Sequence, residues 1–124
     1  NLVSRPPANP PWYGLEMTYA KWLLLSLDAP KQLRVPVQAL RIGDLGIGVV
    51  PAEVFAEMGL DLKARTPFRK SFTMSLANGW FGYLPTPAQH ELGGYETWLG
   101  INRLEKESSV QIVATLLRMW DTMK

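Results

Sequence analysis

The chain has 124 residues, enough for one domain with a hydrophobic core, and its apolar content of 47% is too high for a disordered protein. A net charge of +2 without any run of basic residues argues against nucleic-acid binding. Cysteine is absent, which excludes disulfides, cysteine-ligated zinc and thiol catalysis.

The first part of the chain predicts an extended segment followed by a helix. Residues 1–13 form a proline-rich lead-in, since four prolines within it exclude a helix or a central strand. Residues 14–27 have the apolar spacing of a helix, which Pro30 cannot continue. Because the end of this helix is apolar nearly all round, we expect it to be buried on more than one side.

Residues 33–50 predict a β-hairpin. Two apolar runs are separated by Gly43-Asp44, and glycine supplies the positive φ that a two-residue hairpin turn needs. In the second run, Gly46 and Gly48 alternate with large apolar residues, so one face of this strand should allow a close approach to the backbone. A helix is then predicted for residues 53–65.

The remaining residues predict a strand, a long loop and a final helix. In residues 70–77 apolar and polar residues alternate, as in a half-buried strand whose apolar side faces the core. Residues 80–100 are loop-like, and a loop of this length is usually functional if it is ordered. Residues 106–123 predict an amphipathic helix whose apolar face carries Val110, Val113, Leu117 and Trp120. The whole sequence, 1–124, therefore predicts a single α/β unit with mixed α+β layers, in which a small mixed sheet with a hairpin is flanked by three helices and forms part of a larger sheet.

Three side chains are candidates for chemistry. Glu53 follows a buried strand at a predicted strand-to-helix turn, where α/β proteins place ligands, although a carboxylate there can also simply complement the helix dipole. Tyr83 ligates a metal only if a cation stabilises the phenolate, and the alternative is a packed ring with a hydrogen-bonded hydroxyl. His90 has no second ligand at a suitable spacing, which favours a surface histidine or one that is hydrogen-bonded.

An aromatic group in the second half of the chain has two interpretations. Its side chains could line an apolar substrate pocket, or they could pack in the core. The group consists of Trp80, Phe81, Tyr83, Tyr95 and Trp98.

Several phrases between residues 35 and 96 resemble the end of the catalytic domain of the neutral/alkaline non-lysosomal ceramidase family. Their order and spacing hold over about sixty residues, and the closing helix also fits. These phrases are Ala39-Leu40-Arg41-Ile42-Gly43-Asp44-Leu45, Val50-Pro51-Ala52-Glu53, Leu76-Ala77-Asn78, Tyr83-Leu84-Pro85-Thr86 and Gly94-Tyr95-Glu96.

The resemblance implies a zinc-dependent amidohydrolase that cleaves the N-acyl bond of ceramide or a related N-acyl lipid. It implies that Glu53 and Tyr83 are zinc ligands, that Tyr83 is also catalytic, and that two further ligands, histidines, lie outside this chain. The chain would then be the C-terminal portion of a catalytic domain, incomplete and inactive alone, with the remainder of that domain as its partner. Peripheral membrane contact and a secreted or periplasmic location would also follow.

Departures from the family pattern leave an alternative open. Ala52 replaces a glycine, Trp80 stands where a tyrosine is common, and Pro87-Ala88-Gln89 replaces an acidic stretch with an aromatic. The alternative is a non-catalytic lipid- or protein-binding module that retains the family fold.

Overall fold

The computed structural model describes residues 16–124 of the chain, so the proline-rich lead-in predicted for residues 1–13 lies outside the described residues. In this part of the chain there are four α-helices: α1 (Glu16–Leu27), α2 (Ala56–Arg65), α3 (Pro87–Leu92) and α4 (Ser108–Asp121). The strands are β1 (Gln38–Ile42), β2 (Leu45–Val49), β3 (Glu53–Val54), β4 (Lys70–Met74) and β5 (Tyr83–Leu84). A short 3-10 helix covers Tyr95–Thr97.

The main sheet has three strands in the order β1-β2-β4. The predicted hairpin joins β1 to β2 in antiparallel register, and Gly43 in its turn has a φ of +58°, which favours glycine. Strand β4 is parallel to β2 and follows it by way of β3 and α2. The predicted α/β class with a small mixed sheet is therefore confirmed.

One face of the main sheet carries the core. Gly46 and Gly48 of β2 lie beneath helix α4: a Cβ at Gly48 would be 3.2 Å from Leu116 Cδ1, and one at Gly46 would be 3.2 Å from Trp120 Cε2. Trp120 is fully buried. The two glycines thus create the space in which α4 packs against the sheet, as their alternation predicts.

In the part of the chain that the structure describes, the opposite face of the main sheet is exposed along its outer strands β1 and β4, whereas Ile47 and Val49 of β2 are buried. Phe72 and Met74 of β4, which are 41% and 43% exposed, point to this side, while the hydroxyls of Ser71 and Thr73 are buried. The expectation that the apolar side of this strand faces the core is wrong, because the helices lie on the other face. We call the exposed residues the open face; they are Leu40, Ile42, Phe72 and Met74.

Three helix predictions need correction. The second helix begins at Ala56 rather than at Glu53, because residues Glu53–Val54 form β3. On the predicted apolar face of α4, Val113, Leu117 and Trp120 are buried, but Val110 is 52% exposed. The end of α1 is not buried on several sides: three of its leucines, Leu24, Leu25 and Leu27, are 62–73% exposed.

The predicted loop at 80–100 contains regular structure. Helix α3 begins after Thr86, whose hydroxyl accepts from the backbone N–H of Gln89 while the Gln89 side chain accepts from the backbone N–H of Thr86. This reciprocal pair is a capping box, and Pro87 suits the first helical position.

Among the described residues no helix is long and apolar enough to cross a membrane.

Candidate active site: a carboxylate and a phenol on paired strands

The second sheet brings the two predicted ligands together. Strands β3 and β5 are parallel neighbours, and their register places Glu53 directly beside Tyr83. The Glu53 N–H donates to the carbonyl of Gly82 at 2.9 Å, and the Tyr83 N–H donates to the carbonyl of Ile101 at 3.3 Å. Paired residues in neighbouring strands lie on the same face, so the carboxylate and the phenol share one side of this sheet.

The chain between β4 and β5 is folded tightly around the start of β3. The Leu76 N–H donates to the carbonyl of Ala52 at 3.1 Å, and the Phe81 N–H donates to the carbonyl of Pro51 at 2.8 Å. At Gly82, which has a φ of +81°, a Cβ would lie 2.0 Å from the carbonyl oxygen of Ile101, so only glycine fits. Backbone contacts therefore fix Tyr83 relative to Glu53.

Glu53 is half-buried, and an indole holds its carboxylate. Trp80 Nε1 donates to Glu53 Oε1 at 3.2 Å. The guanidinium carbon of Arg103 lies 5.8 Å from the centre of the Trp80 ring, which is within the range of a cation–π contact. This arrangement differs from the sequence-based alternative of a helix-capping carboxylate, because Glu53 lies in a strand.

Tyr83 is hydrogen-bonded through its hydroxyl. Its hydroxyl oxygen is 3.1 Å from that of Tyr95, and the two rings meet edge to face with centroids 5.5 Å apart. The hydrogen bond with Tyr95, then that with Glu53, and lastly burial raise the pKa of Tyr83 above its usual range. In this arrangement the neutral phenol is favoured, and only a cation close to the oxygen would favour the phenolate.

His90 lies apart from this pair. Its Nε2 is 3.4 Å from Nδ2 of the buried Asn102, which agrees with the prediction of a hydrogen-bonded histidine. The structure contains no group of three or more His, Cys, Asp and Glu side chains that could hold a metal within residues 16–124. Glu53 and Tyr83 provide a carboxylate and a hydroxyl on one side of a strand pair, and such a set fits part of a zinc coordination sphere.

The predicted aromatic group divides into parts. Tyr95 joins Tyr83, and Trp98 packs edge to face on Tyr19 with centroids 5.4 Å apart. Trp80 and Trp98 are each 51% exposed, so core packing is wrong for these two residues. Trp80 also lines a groove of about 930 Å³ beside α1, with Trp22, Leu25, Leu33, Phe81 and Leu99 among its other apolar walls.

Trp80 and Tyr95 were not predicted as partners of the site. Trp80 is three residues before Tyr83 and Tyr95 is twelve after it, and all three lie in the stretch predicted to be a loop, where no period indicates which side chains meet. The capping box at Thr86 was a usable signal, because a Thr-Pro-x-Gln phrase indicates that a helix begins within the loop.

The mixed sheet, with α2 and α4 on one face and a carboxylate–phenol pair on a second small sheet, defines an α/β chain with a neutral ceramidase-like fold. Among solved structures it is similar to neutral ceramidase from Pseudomonas aeruginosa, with a TM-score of 0.63 and 19% sequence identity. The match covers 70% of this chain and 15% of that protein, so the chain spans a small part of its length. No family model matches the sequence, and no curated protein matches it. The predicted resemblance is thereby confirmed at the level of the fold.

Proposed function

We propose that this chain is the C-terminal portion of the catalytic domain of a zinc-dependent amidohydrolase that acts on ceramide or a related N-acyl lipid. The observation that carries the proposal is the placement of Glu53 directly beside Tyr83 on the parallel pair β3–β5. Two residues 30 positions apart (83 minus 53) reach one side of one sheet, and they are the two that the family resemblance assigns to zinc.

The chemistry of these residues follows from their types. A bound zinc ion supplies a water of lowered pKa and polarises the amide carbonyl. Glu53 would be an anionic ligand, with one carboxylate oxygen already held by Trp80. Tyr83 would be the fourth ligand or would donate a hydrogen bond to the oxygen on which negative charge develops. Two histidines from the rest of the domain would complete the site.

The open face of the main sheet supports the proposal that the chain is part of a larger domain. Its four apolar residues are 38–66% exposed, whereas sheets in α/β proteins usually have both faces covered. The remainder of the catalytic domain is the partner that we propose for this face. Peripheral membrane contact and a secreted or periplasmic location stay predictions.

The test uses a protein that contains this chain within its complete domain. We expect Glu53→Ala to lower both zinc content and amide hydrolysis, and Tyr83→Phe to lower hydrolysis by about a hundredfold or more, as when an oxyanion donor is lost. Zinc is measured by atomic emission, and hydrolysis by release of fatty acid from an N-acyl lipid.

Two matched variants are the controls. Glu57→Ala removes an exposed carboxylate in the first turn of α2, and Tyr19→Phe removes the hydroxyl of a ring that packs on Trp22 and Trp98. Both should leave zinc content and hydrolysis unchanged. If Glu53→Ala and Tyr83→Phe also leave both quantities unchanged, the assignment of the site is wrong.

A second candidate is a non-catalytic lipid- or protein-binding module with the same fold. The apolar groove beside α1 favours it, because an acyl chain or an apolar peptide segment could occupy such a groove. This candidate requires the 124 residues to fold alone as a monodisperse species with a cooperative thermal transition. Aggregation, or a transition without cooperativity, would contradict it and favour the partial catalytic domain.

A further inference from the structure

We infer that Trp80 is the positioning residue of the site, which orients the Glu53 carboxylate for zinc through its indole N–H. This inference rests on the proposed function, since it concerns how the proposed ligand is held. It gives a specific role to a residue that the sequence analysis noted as a member of the aromatic group and as a departure from the tyrosine common at this position.

The hydrogen bond itself is the first observation. Trp80 Nε1 lies 3.2 Å from Glu53 Oε1. An indole nitrogen can only donate, so this contact always takes up a lone pair of that oxygen. The neutral Tyr83 hydroxyl also hydrogen-bonds with this carboxylate, so the indole is one of two donors that orient it.

The second observation concerns what fixes the indole. Trp80 is 51% exposed, so packing alone does not hold its ring. The guanidinium of Arg103 lies 5.8 Å from the ring centre, and Arg103 follows Asn102, which forms a backbone bridge with Gly82. The ring is thus held at its face by Arg103 and at its nitrogen by Glu53. Both contacts come from backbone segments that are hydrogen-bonded to β5 or to the residue before it: Glu53 lies in β3, and Arg103 follows the segment of Ile101 and Asn102.

Such a residue affects a metal site without touching the metal. Side chains that hydrogen-bond to metal ligands fix the orientation of the ligand, and their loss typically weakens metal binding by about 10- to 100-fold. A phenylalanine at position 80 would keep most of the ring and remove the donor. The expected effect of Trp80→Phe is at the lower end of this range, because the backbone of β3 still holds Glu53.

The contact can be tested first in the complete domain after zinc has been removed with a chelator. The indole N–H resonance of Trp80 is assigned by its loss in Trp80→Phe and is then followed by NMR in Glu53→Ala. We expect the resonance of Trp80 to move in Glu53→Ala while that of Trp98, which is equally exposed at 51%, stays in place. An unmoved Trp80 resonance would overturn the inference. Glu53→Gln provides a second variant of nearly equal shape if Glu53→Ala does not fold.

The functional arm measures zinc affinity in the complete domain, with zinc ion as the probe and a chromophoric chelator as the competitor. We expect Trp80→Phe to raise the zinc dissociation constant about tenfold. Trp98→Phe should leave it unchanged. In a Glu53→Ala background, Trp80→Phe should have no further effect, because a residue that acts through Glu53 has nothing left to orient.

The outcomes separate the two proposals. An equal effect of Trp80→Phe with and without Glu53 would show a general structural role and overturn the inference. If Glu53→Ala weakens zinc binding and Trp80→Phe does not, the positioning role of Trp80 is wrong and the proposed function is still supported. If Glu53→Ala leaves zinc binding unchanged, both the positioning role of Trp80 and the proposed function are wrong.

Discussion

At the scale of single residues, the Tyr83 hydroxyl is held in its neutral form by its neighbours. The hydrogen bonds with Tyr95 and Glu53 both favour the protonated phenol, and a nearby carboxylate opposes a second negative charge. A bound cation reverses this preference, because it stabilises the phenolate. In the proposed zinc site this oxygen would lose its proton, whereas in the free chain the neighbours favour the protonated form.

The first prediction concerns the titration of Tyr83. We expect one tyrosine of the chain to ionise well above the ordinary pKa of about 10, and Tyr95→Phe to lower the pKa of that group, since the largest cause of the shift is removed. The absorbance of tyrosinate in an alkaline titration measures this. Tyr19→Phe is the control and should leave the late step in place, whereas Tyr83→Phe should abolish it.

The same shift predicts how stability depends on pH. The folded pKa of Tyr83 is raised, so the folded state keeps a proton that the unfolded state loses. The contribution to the free energy of unfolding is complete below about pH 10, the ordinary tyrosine pKa, and decreases as the pH rises above it. Urea unfolding across this range should show a steeper decrease for the wild type than for Tyr83→Phe. Equal slopes would contradict the shift.

The sequence predicted which residue types could form the site but not all of their contacts. Glu53 and Tyr83 were named from their neighbours and from the family resemblance, and the structure brings them together. Their partners Trp80 and Tyr95 depend on how residues 76–102 fold around β3, which no periodicity describes. A positive φ at Leu76 (+57°) and at Asn78 (+67°) belongs to this path, and a leucine gives no indication of such a conformation.

At the scale of elements, the packing of α4 against β2 depends on two glycines, Gly46 and Gly48, which leave space where other residues would have a side chain. A Cβ at Gly46 would lie 2.5 Å from Phe68 Cδ2, closer than any real contact, and the ring of Trp120 is next to it. The core is therefore complete only because glycine alternates with large residues in β2. This is the feature that the sequence indicated most directly.

The second prediction compares two glycines. Gly46→Ala should lower the free energy of unfolding by about 1–3 kcal/mol, since Phe68 and Trp120 must move. Gly59→Ala in α2 should raise it by about 0.5–1 kcal/mol, since the new Cβ would be 3.8 Å from Thr73 Oγ1 and alanine favours a helix. Urea unfolding measures both changes. A loss of stability in Gly59→Ala comparable to that in Gly46→Ala would contradict this account of α4 packing.

Most helices and strands could be predicted in their order along the chain, but the face of the sheet to which their side chains point was harder to predict. The hairpin, β4, and most of α2 and α4 follow from apolar spacing and from turn residues. The outward direction of Phe72 does not, because alternation identifies two faces and does not say which one the helices cover. Strands β3 and β5 have two residues each, too few for any period to be visible.

At the scale of the whole molecule, the open face makes the isolated chain prone to association. Two of its four apolar side chains lie on β1 and two on β4, and the register places the buried Ile47 of β2 between Leu40 and Phe72. A contiguous apolar surface of this kind is typical of an interface. The remainder of a catalytic domain would cover it in the proposed full protein.

The third prediction tests this face. The double variant Ile42→Thr, Phe72→Thr should self-associate less than the wild-type chain at equal concentration, because apolar area is removed where threonine still suits a strand. Val110→Thr, on an exposed position of α4 away from the sheet, is the matched control. Sedimentation velocity measures association. Equal decreases for the double variant and the control would argue against a role of this face.

The pairing of β3 with β5 also has a consequence for the order of folding. Its two strands enclose residues 55–82, which include α2 and β4, so the ladder closes a long loop for only two residue pairs. Closing such a loop costs entropy that local contacts do not offset, and pairs of this separation form late and open early. The amides of Glu53 and Tyr83 should therefore exchange with deuterium faster than those of β2. The least protected backbone in the sheets is then the strand pair that carries the carboxylate and the phenol. A ligand that binds both side chains would therefore also stabilise the closure of the loop formed by residues 55–82.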